Sequence, residues 1–215
     1  MTSGFSRCRV SFISLRASTR LGGIPALLCV SLLAAAAPPF WETKDASAWT
    51  IAEANTLLTD SPWAQQAVTG PQGEAVLAYI ATADPIIAAE DRIRAARKHP
   101  EADSSWEEYR DYLRENTGKY IIIAVAAPKP EAFAEADEVK QMLKESKLKI
   151  GKRTAQLVGH FPPSGTDSYV RFVFERDVRA GDSALRLQVA LPGFSKLYYA
   201  EFRVTHLTYK GAPNY

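Results

Sequence analysis

The chain has 215 residues, 47% of them hydrophobic, a formal net charge of +2 and only two cysteines. A charge so close to balance carries no electrostatic footprint for nucleic acid. Both cysteines, Cys8 and Cys29, lie in the first 37 residues. The remaining chain therefore lacks the thiols that a disulfide, a cysteine nucleophile or a zinc–thiolate site requires.

The first 37 residues have the pattern of an export signal. Residues 1–23 hold four arginines and no acid, and residues 24–37 are an apolar run that ends in four alanines. A basic start, an apolar core and small residues at its end are the parts of a secretory signal peptide, so we expect cleavage after Ala36. An uncleaved anchor is the alternative, but a bilayer-spanning helix needs about 20 apolar residues.

Removing residues 1–36 changes the charge of what folds. Four of the 26 basic residues are lost and none of the 24 acids, so the net charge becomes 22 − 24 = −2. The remaining residues suffice for one domain with a real core. We predict a signal peptide (1–36), an irregular N-terminal segment (37–48) and a single domain (49–215).

The first predicted element of that domain is a helix beginning at Thr50. Thr50 and Glu53 form a T-x-x-E capping box, and Trp49 stands where a hydrophobic staple belongs. The Asp-Ser-Pro sequence at 60–62 predicts another helix start, with proline in the first turn. Residues 65–83 then predict an extended pair around a Gly-Pro-Gln-Gly turn.

Helices and one strongly apolar strand follow. Asp84-Pro85 and Ser104 each mark the start of a helix, and residues 131–145 predict a third. Between them, residues 120–127 are almost entirely apolar, which favours a central strand covered on both faces.

From residue 147 the pattern becomes β. The predicted strands are 154–161, 169–175, 185–191 and 197–209, separated by Gly/Pro turns. This spacing favours an antiparallel meander. In the second of these strands Phe172 and Arg171 fall on opposite faces. We therefore predict an α+β fold, with N-terminal helices packed on a C-terminal, mostly antiparallel sheet.

No motif in the chain points to a catalytic, cofactor or metal site. The histidines His99, His160 and His206 are far apart in sequence, and a metal site needs three or four ligands. Ser61 is explained as a helix cap, and no glycine-rich phosphate loop is present. A site assembled from distant residues, for example with His160 and His206 on adjacent strands, stays open.

The candidate contact residues are Trp41, Trp63, Arg94 and Arg97. The two arginines belong to a basic cluster at 92–99, which is either a contact for anionic envelope lipid or polymer or a solvated helix end that suits the macrodipole. Aromatic side chains bind sugars or peptides, or they fill a core. Trp41 stands apart from any helix cap and is the best candidate for an exposed contact.

Residues 49–64, WTIAEANTLLTDSPWA, resemble a motif of exported bacterial proteins of unknown function, W-[ST]-x-x-E-x-x-x-L-L-x-D-S-P-W-A. Residues 80–86 and 207–211 are similar to two later segments of the same proteins. The resemblance implies export, and it carries no activity or catalytic residues to this chain.

Together these patterns predict an exported protein of the cell envelope or periplasm, a non-catalytic binding or structural module without cofactor. Its partner is an envelope protein or a glycan, and no membrane span is expected after cleavage. The alternative is a periplasmic hydrolase. A pocket that holds His160 or His206 beside an acid and a hydroxyl favours the enzyme, whereas an exposed apolar strip around Trp41 or a sheet edge favours the binding module.

Overall fold

A computed structural model of the protein describes residues 38–97 and 104–215. The predicted leader lies outside the described residues, so its cleavage stays a prediction. The helices in the described part are α1 Phe40–Thr43, α2 Ile51–Thr59, α3 Asp84–Ala95, α4 Ser104–Glu115 and α5 Ala136–Glu145. None of them combines the length and the apolar content of a membrane-crossing helix.

Most of the described β structure belongs to one sheet. Its strands are β1 Ala64–Val68, β2 Ala75–Ile80, β3 Tyr120–Ala126, β4 Lys147–Ile150, β5 Arg153–Ala155, β6 Leu157–Phe161, β7 Tyr169–Glu175, β8 Ala184–Val189 and β9 Tyr198–Arg203. They lie in the order β5-β4-β8-β9-β1-β2-β3-β7-β6, and a separate hairpin joins β10 Thr208–Tyr209 to β11 Ala212–Pro213. The prediction of an α+β fold with a mostly antiparallel sheet is confirmed.

The predicted C-terminal meander is wrong, because the sheet mixes strands from both halves of the chain. β7 pairs with β3 and β6, whereas β8 pairs with β4 and β9, so β7 and β8 are not neighbours. β3 is buried along almost its whole length, as predicted, and takes β2 on one side and β7 on the other. Periodicity identifies strands, but it does not choose their partners.

The predicted strand 154–161 is split at Gln156. Ala155 pairs with β4 at one end of the strand order, while Leu157 pairs with β7 at the other end. Ala155 and Leu157 are two residues apart, and two residues of extended chain span at most about 7 Å. The two terminal strands, β5 and β6, must therefore lie close together at Gln156, so the sheet is strongly curved. Directly paired residues share a face, and the apolar rows Ile80–Ile123–Phe172 and Leu148–Leu187–Ala200 both lie inside the curl.

The outer face of the sheet differs between its two halves. Over β2, β3 and β7, which we call the covered half, it lies under helices: α2 contacts β2, and side chains of α3 and α4 contact those of β7. Over β4, β8 and β9, which we call the bare half, the end of α5 contacts β8 through Gln188, but outward side chains such as Lys149 and Arg186 are exposed. The covered half holds the buried polar groups described below.

The N-terminal elements follow the capping prediction. Thr50 Oγ1 accepts from the Glu53 amide at 3.1 Å, and the Thr50 amide donates to Glu53 Oε2 at 2.7 Å, so the predicted capping box forms at the start of α2. Trp49 is buried beside it. The segment before it is less irregular than predicted, since it contains α1 and a 3-10 turn at Ala46–Ala48.

Two predicted helices differ in the structure. No helix begins at 60–62, because the Ser61 hydroxyl donates to the carbonyl of Leu57 at the end of α2 and the chain turns directly into β1. The predicted helix at 131–145 is interrupted at Glu135, which is extended (φ −86°, ψ 107°) between a 3-10 turn at Pro130–Ala134 and α5.

Candidate functional site

A buried arginine lies at the centre of the covered half. Arg171 of β7 is 4% exposed. It donates from Nη2 to Glu90 Oε1 at 2.9 Å and from Nη1 to Asp167 Oδ2 at 2.5 Å. The hydroxyl of Tyr79 donates to the same Glu90 oxygen at 2.8 Å. These four residues form what we call the Arg171 cluster.

Sheet register and helix packing bring the cluster together. Tyr79, Ala124 and Arg171 pair directly across β2, β3 and β7, so all three face outward toward the helices. The small side chain of Ala124 leaves room between the two long ones. α3 lies over this row and presents Glu90 from its buried face, one turn after Ile86.

Aromatic rings of α4 close over the arginine. The Cζ atom of Arg171 lies 4.4 Å from the ring centroid of Tyr109 and 5.3 Å from that of Trp106. Arg94 of α3 also stacks on Trp106, with its Cζ 4.1 Å from the ring centroid. A guanidinium over an aromatic face is attracted by the ring quadrupole, and the attraction grows as water is excluded.

Burial governs the titration of this cluster. It raises the pKa of Glu90, although the Arg171 charge and the Tyr79 hydrogen bond act in the opposite direction. Burial alone would lower the pKa of Arg171, but Glu90 and the other surrounding groups outweigh it and raise that pKa well above its ordinary value. Arg171 therefore stays charged, and it needs its carboxylate partners to stay in the core.

Three buried polar atoms of the site have no hydrogen-bond partner among the described residues. They are Glu90 Oε2, Arg171 Nε and the hydroxyl of Tyr109, although the Arg171 guanidinium lies close enough to the Tyr109 hydroxyl to act against the rise that burial causes in the pKa of Tyr109. A buried donor or acceptor left unpaired costs about 1–3 kcal/mol. The gathering of three such atoms around one guanidinium indicates a place where a ligand or ordered water completes the polar contacts.

A cleft of about 200 Å³ opens beside the cluster, and we call it the Trp106 cleft. Glu90, Arg171 and Trp106 border it, and its remaining wall includes Asn55, Leu58, Ile93, Arg94, Arg97 and Tyr169. A second space of about 120 Å³ lies against Trp106, Tyr109 and Arg171.

The structure separates the four predicted contact residues into two places. Arg94 and Arg97 line the Trp106 cleft, and Arg97 Nη1 donates to the carbonyl of Thr166 at 3.1 Å. Trp41 and Trp63 instead belong to an aromatic cluster at the N-terminus, with their rings 6.1 Å apart. Trp63 is 0% exposed and donates from Nε1 to the carbonyl of Asn214, which makes it a core residue.

The described histidines do not assemble a catalytic set. Burial lowers the pKa of His160, which lines a separate groove of about 570 Å³ with Glu108 and Asp111. His206 is exposed in a 3-10 turn. Within the described ranges neither ring hydrogen-bonds to an acid or a hydroxyl, and no group of three or more His, Cys, Asp or Glu is placed to hold a metal ion. His99 lies outside these ranges.

Sequence reasoning missed the centre of this site. The alternation in β7 puts Arg171 opposite Phe172, which normally means a solvated side chain. One signal was present: Glu90 falls on the same helix face as Ile86 and Ile93. An acid in an apolar helix face, together with an arginine in an apolar strand, is a pattern from which a buried ion pair can be predicted.

No protein-family model, no curated protein and no solved structure matches this chain. The resemblance of residues 49–64 to exported bacterial proteins therefore stays a prediction.

Proposed function

We propose that the chain is an exported protein of the cell envelope or periplasm, that it acts as a non-catalytic binding module, and that its ligand site is the Trp106 cleft. The export half of the proposal is supported by the leader sequence at 1–36. The binding half depends on one observation: a cleft lined by Arg94 and Arg97 lies beside a buried ion cluster that still has unpaired polar atoms.

The cleft is preformed by its neighbours. Arg171 is held by two carboxylates and two aromatic rings, so the polar side of the cleft has a fixed geometry without a ligand. A site that is already ordered does not lose side-chain freedom when it binds. This favours recognition of a small group with defined polar atoms.

The carboxylates of the cleft support binding over catalysis. Glu90 and Asp167 both serve as partners of Arg171, and Glu90 Oε1 also accepts from Tyr79. Because both carboxylates are engaged in ion pairs and hydrogen bonds inside the cluster, moving a proton to or from either one would disturb the whole cluster. They are therefore better suited to fixing the positions of polar atoms than to acid–base catalysis.

The polar atoms define the ligand chemistry. Glu90 Oε2 lacks a partner, so a hydroxyl or N–H group of a ligand gains a hydrogen bond there when Glu90 is ionised. Arg94, one turn after Glu90 on α3, and Arg97, just past the end of that helix, attract an anionic or carbonyl acceptor of the same ligand. A glycan unit and a peptide segment both carry these groups, in line with an envelope glycan or protein as the partner.

A blocking variant tests the cleft. Asn55 is exposed on α2 at the rim, so N55W narrows the cleft from its rim and leaves every residue of the Arg171 cluster in the sequence; T56W, its exposed neighbour outside the lining, is the matched control. Mono- and disaccharides, uronic acids, amino sugars and short peptides are screened by the shift in Tm. We expect hits to stabilise the wild type and T56W but not N55W. Equal shifts in all three proteins would refute the assignment.

The export half has its own test. Mass spectrometry of the protein recovered from the cell envelope or medium is expected to give an N-terminus near Ala37. An intact chain that begins at Met1 and stays in the cell interior contradicts export, without affecting the cleft.

The hydrolase alternative has one observation in its favour, namely that His160 shares a groove with Glu108 and Asp111. It predicts turnover of chromogenic esters or glycosides that is lost in H160A and E108Q. Activity that these substitutions abolish would replace the binding module with an enzyme.

A further inference from the structure

We propose that the outer face of the bare half binds a linear anionic polysaccharide. This cationic face is formed by outward side chains of β4, β8 and β9, all exposed: Lys147, Lys149, Arg186, Tyr199, Glu201 and Arg203. It is separate from the Trp106 cleft and does not depend on the function proposed for that cleft.

Sheet register places these charges in a compact array. Lys149, Arg186 and Glu201 are directly paired across the three strands, and Lys147 shares the next row with Gln188 and Tyr199. Rows on one face are about 7 Å apart along a strand, and neighbouring strands are about 5 Å apart. With four cations and one acid, the face carries 4 − 1 = +3.

Most of this charge is not neutralised by the protein. Arg186 pairs with Glu201 at 2.7 Å, and both side chains are about half exposed. Lys147, Lys149 and Arg203 have no ion pair with any other residue in the described ranges. The residues expected to remain after cleavage carry −2 overall, so positive charge is concentrated here on an otherwise acidic chain, and such a concentration steers a polyanion to one face.

The aromatic content of the face favours a sugar polymer. Tyr199 is 47% exposed and lies among the cations. A flat ring beside ammonium and guanidinium groups suits a sugar whose ring stacks and whose carboxylate pairs with a cation. A bilayer prefers a broad apolar face that enters the headgroup region, and single-stranded nucleic acid prefers several stacking rings. The convex outer face has one such ring.

Binding to immobilised alginate, a linear polyuronate, tests the proposal with the full chain as purified after expression. The charge-removal variant is K147Q/K149Q/R203Q. The matched control, R114Q/K119Q/K140Q, also removes three exposed cations, none of which lies on β4, β8 or β9. We expect the first variant to bind alginate about tenfold more weakly than the wild type, and the control to bind within about twofold. Binding of the wild type should weaken with added salt.

Two further measurements identify the ligand class. Y199A leaves every charge in place but removes the aromatic ring on which a sugar stacks, so we expect it to weaken alginate binding as well. A face that binds by charge alone would be unaffected by this substitution. Vesicles containing anionic phospholipid and single-stranded DNA are compared at the same salt concentration. The proposal is overturned by any one of four results: equal loss in the control variant, unchanged binding in K147Q/K149Q/R203Q, unchanged binding in Y199A, or tighter binding of this face to vesicles or DNA than to alginate.

Discussion

Two arginines on the outer face of one sheet have opposite surroundings. Arg171 of the covered half is buried with Glu90 and Asp167, whereas Arg186 of the bare half pairs with Glu201 in solvent. Both ion pairs have N···O distances below 3 Å. Similar distances do not mean that the two ion pairs stabilise the fold equally. Removing a partner of Arg171 leaves a buried charge unpaired, whereas water can replace the partner of Arg186 at the surface.

The largest expected effect is that of R171M. It leaves the buried Glu90 and the partly buried Asp167 without their cation, and removing one member of a buried ion pair costs about 3–5 kcal/mol. The free energy of unfolding from urea titration measures this cost. The double variant R171M/E90M should recover part of the loss, since it also removes a stranded carboxylate. A cost below about 1 kcal/mol for R171M would mean that the cluster does not stabilise the fold.

The next comparison removes one tyrosine hydroxyl from each half of the sheet, that of Tyr79 in the covered half and that of Tyr198 in the bare half. Y79F deletes a hydrogen bond to buried Glu90, and bonds to charged groups contribute about 1.5–3 kcal/mol. Y198F deletes the bond from Tyr198 to Glu74, whose carboxylate is exposed, so we expect a smaller loss. Urea unfolding of both variants in the same buffer makes the comparison, and an equal cost would contradict the proposed effect of burial.

The capping box predicts an intermediate cost. T50A removes the acceptor for the Glu53 amide, and loss of such a cap costs about 1 kcal/mol. An unchanged Tm would show that α2 does not need this cap.

Two carboxyl groups should respond to pH in opposite directions. Hydrogen bonds from Lys44 and the Thr50 amide lower the pKa of Glu53 to about 2 from an ordinary 4.5. Its stabilising contribution is therefore full above pH 4.5 and is lost as the pH falls toward 2. Burial raises the pKa of Glu90, so its protonated form favours the fold, and stability declines as pH rises above 4.5. In E53Q, the free energy of unfolding should fall less steeply between pH 4.5 and about 2 than in the wild type.

The smallest expected effect is that of R186M. It breaks the exposed pair with Glu201, and such pairs contribute about 0–1 kcal/mol. Urea unfolding should place the free energy of unfolding of R186M within about 1 kcal/mol of the wild-type value. A cost equal to that of R171M would remove the distinction between the two halves.

Local signals in the sequence were the most reliable. The Thr50 capping box, the hairpin of β1 and β2 and the doubly buried strand β3 depend on neighbouring residues or on periodicity, and the structure contains all three. The failures came from long-range choices. The partner of β7 and the split at Gln156 depend on how distant strands fit together, which no local pattern encodes.

The candidate site was predictable only in part. Arg94 and Arg97 were identified because they are clustered cations, and both line the cleft. Arg171 was not, since alternation tells which face of a strand a residue occupies and says nothing of a helix lying above it. The position of α3, which brings Glu90 over β7, decides that outcome.

The junction at Gln156 has a mechanical consequence. One residue joins the two terminal strands of the sheet, and its carbonyl accepts from the amide of Glu175 in β7. If the chain around Gln156 separated from β4 or from β7, the unpaired backbone edges of β5 and β6 would both be exposed. Exposed sheet edges are templates for association between molecules. A substitution that loosens the chain at Gln156 is therefore expected to promote self-association of the protein.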